Sequence, residues 1–120
     1  MKTIIAGSRD GVTIHEVRAA VEACGWTPTV VISGTARGAD QIGETLAAIS
    51  GWPVQRFPAD WDKYGKRAGY LRNEEMARNA DALVAIWDGK SNGTKHMINI
   101  ATRAGLRVYV HTLGVVTVNV

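Results

Sequence analysis

The sequence predicts an α/β fold: a Rossmann-like three-layer sandwich with a mainly parallel, doubly wound sheet of about five strands. Short runs of β-branched residues alternate with helical patterns along the whole chain. Strands that alternate with helices pair in parallel through right-handed crossovers. The run Ala82–Trp87 is wholly apolar, which is typical of a central strand that is buried on both faces.

The first strand is predicted at residues 2–6 and the first helix at residues 13–24. Thr13 and Glu16 have the spacing of a capping box, and Gly25 follows the helix as a terminating glycine. The other predicted elements are strands at 28–32, 54–57, 82–87 and 106–110 and helices at 40–49, 67–79 and 94–104. Residues 115–120 are predicted to form a further edge strand or an arm.

Composition and charge indicate one globular domain over residues 1–120, with 46% hydrophobic and 21% charged residues. The net charge of +3 fits an anionic ligand, although many domains carry such a charge for solubility alone. Basic residues cluster only at Lys63, Lys66, Arg67 and Arg72, and there is no basic tail, so nucleic acid is not the expected partner.

The expected location is cytoplasmic, without membrane contact. No apolar run approaches the roughly 20 residues of a membrane helix, and the N-terminus lacks the apolar stretch of a signal peptide. Cys24 is the only cysteine, which excludes an intrachain disulfide. The apolar arm at 115–120 predicts a homodimer or higher homo-oligomer, because an exposed apolar edge is normally paired or covered.

Three strand-to-helix loops are predicted to form a ligand site, because doubly wound sheets bind ligands beyond the carboxyl ends of their strands. Each loop combines glycines, hydroxyl side chains and a cation. Glycine lets the backbone approach a ligand, and a helix N-terminus favours an anion. The predicted ligand-binding residues of these loops are Gly7, Ser8, Arg9, Ser33, Gly34, Thr35, Arg37, Gly38, Asp40, Asp88, Ser91, Gly93, Thr94 and Lys95.

A structural role for each loop stays open, because turns and helix caps use the same residue types. The P-loop pattern is absent, and the first strand is not followed by a GxGxxG fingerprint, so an ordinary NAD site is not predicted.

The third predicted helix places a polar residue on its apolar stripe, which consists of Tyr70, Asn73, Met76, Ala77 and Ala80. Asn73 is therefore expected to face inward, where its amide must find partners. It either pins a neighbouring loop or contacts the ribose or base of a ligand. Arg72 is expected to project toward the mouth of the pocket or into solvent.

Trp61 and Tyr64 lie in a long charged loop and are candidates for stacking on a base, or for anchoring the loop itself. With one cysteine and three scattered histidines, no metal site is predicted and no cofactor is required. Asp60 and Asp62 could hold a hydrated Mg²⁺ beside phosphates, although such pairs are usually solvated.

Four strings of the sequence resemble the SLOG superfamily, which is named for the DNA-processing protein Smf/DprA and for the phosphoribohydrolase LOG. They are IAGSR at 5–9, SGTARGAD at 33–40, GYLRNEEM at 69–76 and DGKSNGTKHM at 88–97. The resemblance covers residues 2 to 110 and looks closest to the YspA-like group of small stand-alone domains. It implies a Rossmann-like fold with a pocket for nucleotides or nucleotide-derived molecules. The motif match places Arg72 and Asn73 in that pocket beside the loop residues.

One departure concerns catalysis. The phosphoribohydrolase branch has PGGxGTxxE, and Met97 occupies the position of its catalytic glutamate. Methionine cannot act as a general base, so the resemblance favours a protein that binds a nucleotide as a sensor or sequestering protein. The alternative is an enzyme that hydrolyses an N-glycosidic or phosphate bond, with Arg72, Glu75 and Asp88 as candidate catalytic residues. A third hypothesis is DprA-like binding of single-stranded DNA through the basic cluster and its aromatic neighbours.

Overall fold

The computed structural model describes residues 1–114. The predicted C-terminal arm, and the self-association expected from it, lie outside this range. Within the described residues, no helix combines the length and the apolar character that crossing a membrane requires.

Five strands form one parallel sheet: β1 (Lys2–Gly7), β2 (Val30–Ser33), β3 (Val54–Arg56), β4 (Ala82–Trp87) and β5 (Arg107–Thr112). Their order is β3-β2-β1-β4-β5. The chain thus winds outward from β1 in one direction and then returns to the other side of it, which confirms the doubly wound sheet. The topological switch point lies between β1 and β4.

The helices are α1 (Ile14–Ala23), α2 (Ala39–Ser50), α3 (Trp61–Tyr64), α4 (Ala68–Arg78) and α5 (Asn92–Arg103), with a 3₁₀ turn at Gly65–Arg67. The core residues of α1 and α2 cluster with Ile5 and Val84 of the sheet, and those of α4 and α5 cluster with Ile4 and Leu83. Because neighbouring strand residues point to opposite faces, the helix pairs cover opposite faces of the sheet. This arrangement confirms the three-layer sandwich.

The start of α1 agrees only partly with the predicted capping box. The Thr13 side chain accepts a hydrogen bond from the backbone N–H of Glu16 at 3.3 Å. The Glu16 carboxylate instead pairs with Nε2 of His111 near the end of β5. The cap therefore forms on one side only, and Glu16 ties the helix to the edge strand.

The loop between β3 and the predicted helix at 67–79 was expected to lack regular structure, and this expectation is wrong for residues 61–66. Asp60 caps the short helix α3 by accepting a hydrogen bond from the N–H of Lys63 at 3.1 Å. One carboxylate of the Asp60 and Asp62 pair is thus engaged by the backbone. No group of three potential metal ligands occurs among residues 1–114.

Candidate functional site

At the switch point, Ser8 joins the loops that follow β1 and β4. The N–H of Ser8 donates to the carbonyl of Ile86 at 2.8 Å, and its hydroxyl accepts from the N–H of Asp88 at 3.0 Å. Ser8 is buried. Ser8 was predicted to bind the ligand, and in the structure its hydroxyl holds the two loops in register.

Gly38 brings the loop after β2 against the loop after β1. Its φ of +81° is in the left-handed region, and a Cβ there would collide with the carbonyl oxygens of Ser8 and Arg9. The next residue, Ala39, donates its N–H to the carbonyl of Ser8 at 3.1 Å. Gly38 therefore allows close backbone approach and does not itself line the site.

Thr35 has a left-handed φ of +66°, unusual for a β-branched residue. Its N–H donates to the hydroxyl of Ser33 at 3.1 Å, and that hydroxyl donates to Oε2 of Glu44 at 2.7 Å. Oε1 of Glu44 accepts from Nε of Arg56 at 2.8 Å. This chain of bonds holds the loop in shape. Ser33, which was also predicted as a ligand contact, is buried and forms part of this chain of bonds.

A cleft with two lobes opens at the switch point. The inner lobe measures about 210 Å³ and the outer lobe about 420 Å³. The inner lobe is lined by Ala6, Gly7, Arg9, Ala36, Asp40, Trp61, Lys66, Gly69, Tyr70, Arg72, Asn73, Met76, Ser91, Gly93, Thr94 and Met97. The outer lobe adds Gly34, Thr35, Arg37, Pro58 and Ala59. Arg9 and Arg72 belong to both lobes and thus stand where they meet.

Arg72 is fixed by two hydrogen bonds. Its Nη1 donates to the carbonyl of Gly34, and its Nε donates to Oδ1 of Asn73 at 3.1 Å. The second terminal nitrogen, Nη2, has no acceptor among the described residues, so it is available at the cleft. Burial lowers the pKa of Arg72, and the positive charge of Arg9 acts in the same direction.

Asn73 faces inward, as its spacing predicted, with only 6% of its surface exposed. Its Nδ2 donates to the carbonyl of Gly93 at 3.4 Å and lies 3.2 Å from Nδ1 of His96. Because its Oδ1 accepts from Arg72, the amide joins α4 to α5 and orients the guanidinium. Of the two predicted roles, the structure therefore shows the pinning role directly.

Asp40 lines the inner lobe of the cleft and has 5% of its surface exposed. Its Oδ2 accepts a hydrogen bond from the N–H of Ala36 at 3.1 Å. Burial raises the pKa of Asp40 from 3.8 to about 6, although the Ala36 hydrogen bond and the charge of Arg72 oppose that shift. No hydrogen bond from the described residues reaches Oδ1.

The N-terminus of α5 faces the inner lobe without a side-chain cap. Asp88 accepts hydrogen bonds from the N–H groups of Lys90 and Ser91, both at 2.8 Å, and these bonds lower its pKa. They shape the turn but do not reach the first turn of the helix. Within residues 1–114, the N–H groups of Gly93 and Thr94 have no acceptor. Free N–H groups at a helix N-terminus favour an anion.

Aromatic side chains form the outer wall. Trp61, which is 51% exposed, lies against Gly69, where a Cβ would be 3.3 Å from the indole ring. Tyr70 packs edge-on against His96, with 4.3 Å between ring centroids. Tyr70 was expected on the buried stripe, but it is 44% exposed and borders the cleft. Tyr64, the other stacking candidate, does not line the cleft, and its ring lies 5.1 Å from Nζ of Lys63.

Most of the predicted ligand residues meet in this cleft, but some do not. Asp88 and Lys95 are exposed outside it, and so is Glu75, which was a candidate catalytic residue. Arg37 borders the outer lobe while pairing with Asp10 at 3.2 Å. Sequence reasoning did not identify Lys66 and Tyr70 as cleft residues, nor Glu44 as a support for the loop after β2. Of these three residues, only Lys66 had been noted in the sequence, as a member of the basic cluster.

Comparison with known proteins identifies a similar phage protein. No known family model matches the chain. The Gene 61 protein of Mycobacterium phage D29 is 44% identical over 85 residues, and the match covers 66% of this chain and 68% of that protein.

Proposed function

The chain belongs to the family of the Gene 61 protein of Mycobacterium phage D29, and from the geometry of its own cleft we propose that it binds a nucleotide or a nucleotide-derived small molecule. It acts either as a sensor or as a protein that sequesters the ligand. The cleft provides what each part of a nucleotide requires: cations and free N–H groups for phosphate, and an aromatic wall for the base. The resemblance of its loops to the SLOG superfamily supports the same proposal.

The observation that carries this proposal is the placement of Arg72. Two of its three nitrogens are held by Gly34 and Asn73, and Nη2 is left for a ligand. An arginine that is fixed in advance loses little side-chain entropy when it binds a phosphate. The uncapped start of α5 borders the same lobe and supplies N–H donors for the same kind of group.

Met97 supports binding without cleavage. It is 1% exposed and lies at the apolar bottom of the inner lobe beside Met76. A thioether there can pack against a base or sugar, but it cannot accept a proton from water.

The test is extraction of the purified protein and mass spectrometry of the small molecules released. We expect a compound that contains phosphate and absorbs in the ultraviolet, and we expect its amount to fall at least about tenfold in Arg72→Ala. Arg78→Ala is the matched control, because Arg78 is exposed at the far end of the same helix. Equal loading of Arg72→Ala and Arg78→Ala would contradict the proposed site.

A second candidate function is hydrolysis of the bound nucleotide. It is favoured by the position of Asp40, a carboxyl group that lines the inner lobe, whereas Glu75 and Asp88 lie outside it. A carboxyl group whose pKa is near 6 can exchange protons close to neutral pH. Release of ribose 5-phosphate from nucleoside monophosphates, abolished in Asp40→Asn, would establish this activity. Return of the intact nucleotide after long incubation would exclude it.

A further inference from the structure

Asp40 has an acceptor that the protein does not use. The residue is 95% buried, yet within the described residues its Oδ1 receives no hydrogen bond, and Oδ2 receives one, from Ala36. Since no fully buried side-chain oxygen of these residues lacks a partner, Oδ1 keeps some exposed surface. A buried carboxylate is costly unless donors reach it. Since Asp40 lines the inner lobe, the open approach to Oδ1 is from the cleft.

The neighbouring arginines do not donate a hydrogen bond to Oδ1 of Asp40. An ideal Cβ on Gly34 would lie 2.5 Å from Nη1 of Arg72 and 2.8 Å from Oδ2 of Asp40, so the two groups face each other across a residue without a side chain. Nη1 is nevertheless committed to the Gly34 carbonyl. No ion pair within 4.0 Å forms between Asp40 and an arginine in the described part of the chain.

The ligand group that faces Asp40 is a donor rather than a phosphate. An ionised carboxylate repels a phosphate at short distance. The place for phosphate is therefore the start of α5, where Gly93 and Thr94 have free N–H groups, with Nη2 of Arg72 within the same lobe. A flat base fits the aromatic wall at Trp61 and Tyr70.

The remaining part of a nucleotide is its sugar, and a ribose presents two adjacent hydroxyl donors. A carboxylate accepts two such donors side by side. We propose that Asp40 binds the 2′- and 3′-hydroxyl groups of a ribose, so that the cleft selects ribonucleotides over 2′-deoxyribonucleotides. This inference rests on the proposed nucleotide-binding function, which it deepens by naming the ligand class.

The experiment is calorimetric titration with the 5′-monophosphates of adenosine, guanosine, cytidine and uridine, each compared with its 2′-deoxy counterpart. The wild-type protein should bind the ribose form of its preferred base at least about tenfold more tightly, because the deoxy form leaves a buried charged acceptor unpaired. In Asp40→Asn the ratio should fall below about threefold. Glu22→Gln, an exposed carboxylate on α1 that lies outside both lobes, should keep the wild-type ratio.

The outcomes separate this inference from the proposed function. Equal binding of ribose and deoxyribose forms by the wild-type protein would overturn the role of Asp40 and leave nucleotide binding intact. That comparison needs no variant, so it holds even if Asp40→Asn folds poorly. A ribose-to-deoxyribose affinity ratio that persists in a folded Asp40→Asn would also overturn it. So would a preference for guanine that disappears in that variant, because Asp40 would then accept hydrogen bonds from the base and not from the sugar. If none of the eight compounds binds, this inference fails, whereas the mass spectrometry of the extracted protein decides nucleotide binding separately.

Discussion

The guanidinium of Arg72 lies in the space that a side chain on Gly34 would occupy. An ideal Cβ at position 34 would be 2.5 Å from Nη1 of Arg72, and the same nitrogen donates to the carbonyl of Gly34. Gly34 does not have a left-handed φ. Glycine is therefore needed at this position for space and not for backbone conformation, and the cleft depends on the absence of a methyl group.

The first prediction follows from this contact. Gly34→Ala should displace the Arg72 guanidinium and weaken nucleotide binding about tenfold, because the hydrogen bond that orients Nη2 is lost. The free energy of unfolding should also fall, by about 1–3 kcal/mol, because the methyl group would lie 2.8 Å from Oδ2 of the buried Asp40 as well. Calorimetric titration and urea denaturation measure the two effects.

Gly43→Ala is the matched comparison for Gly34→Ala. A Cβ at position 43 would lie 2.7 Å from Cγ2 of Ile5, a buried residue of the central strand β1. This substitution should lower the free energy of unfolding by about 1–3 kcal/mol while the affinity of the folded protein stays unchanged. Loss of affinity in both variants to the same degree would contradict the role given to Gly34.

The second prediction concerns pH. Burial raises the pKa of Asp40 from 3.8 to about 6, so the folded protein binds a proton more tightly than the unfolded chain does. The free energy of unfolding should therefore decrease as the pH rises from about 4 to above 6, by at most about 3 kcal/mol from this group. Arg72 and Arg9 lower that pKa and Glu44 raises it, so all three belong to the measured effect.

Asp40→Asn removes this titration. The variant should be more stable than the wild type at pH 8, by at most about 3 kcal/mol, and equal to it near pH 4. Urea denaturation at both pH values measures the difference, and Asp62→Asn should follow the wild type throughout. An Asp40→Asn variant with the wild-type pH dependence would show that another group is responsible.

The third prediction concerns Asn73. Asn73→Leu leaves Nε of Arg72 without its acceptor and removes the bond to the Gly93 carbonyl. The free energy of unfolding should fall by about 1–3 kcal/mol, the usual cost of unpaired buried polar groups. Asn99→Leu, at an exposed position of α5 where the side chain makes no hydrogen bond to the described residues, should change it by about 0.5 kcal/mol or less. Similar losses at both positions would contradict the pinning role.

The fourth prediction concerns His96, whose Nδ1 lies 3.2 Å from Nδ2 of Asn73. The amide orientation is fixed, because Oδ1 accepts from Arg72, and the Gly93 carbonyl can only accept. Nδ1 of His96 is therefore the acceptor, and the neutral ring carries its proton on Nε2. Nitrogen NMR should show this tautomer, with the pKa of His96 below its usual 6.5 because of burial. A proton on Nδ1 at neutral pH would refute the arrangement.

The order of strands and helices could be predicted from the sequence because the alternation of β-branched runs and helical patterns is local. Asn73 was identified in the same way, by its position on an otherwise apolar stripe. Tyr70 has the same spacing but is exposed, because the first turn of α4 borders the cleft and not the sheet. Helical periodicity predicts the face of the helix on which a side chain lies. What packs against that face depends on the fold of the whole chain.

The loops show the corresponding limit for the site. A serine after a strand can donate to a phosphate or hold two loops together, and Ser8 and Ser33 do the latter. Both roles require the same hydroxyl, so residue type alone does not distinguish them. The helix α3 has only four residues, too few to show a helical period, and its start depends on the Asp60 cap.

The left-handed conformation of Thr35 has a consequence for the speed of binding. Such a conformation costs about 1 kcal/mol or more in a β-branched residue, and the bonds through Ser33 and Glu44 hold it with protein groups alone. A ligand therefore encounters a finished loop and does not wait for one to form. Association should approach the rate of productive collision, and differences between ligands should appear in how long each complex lasts.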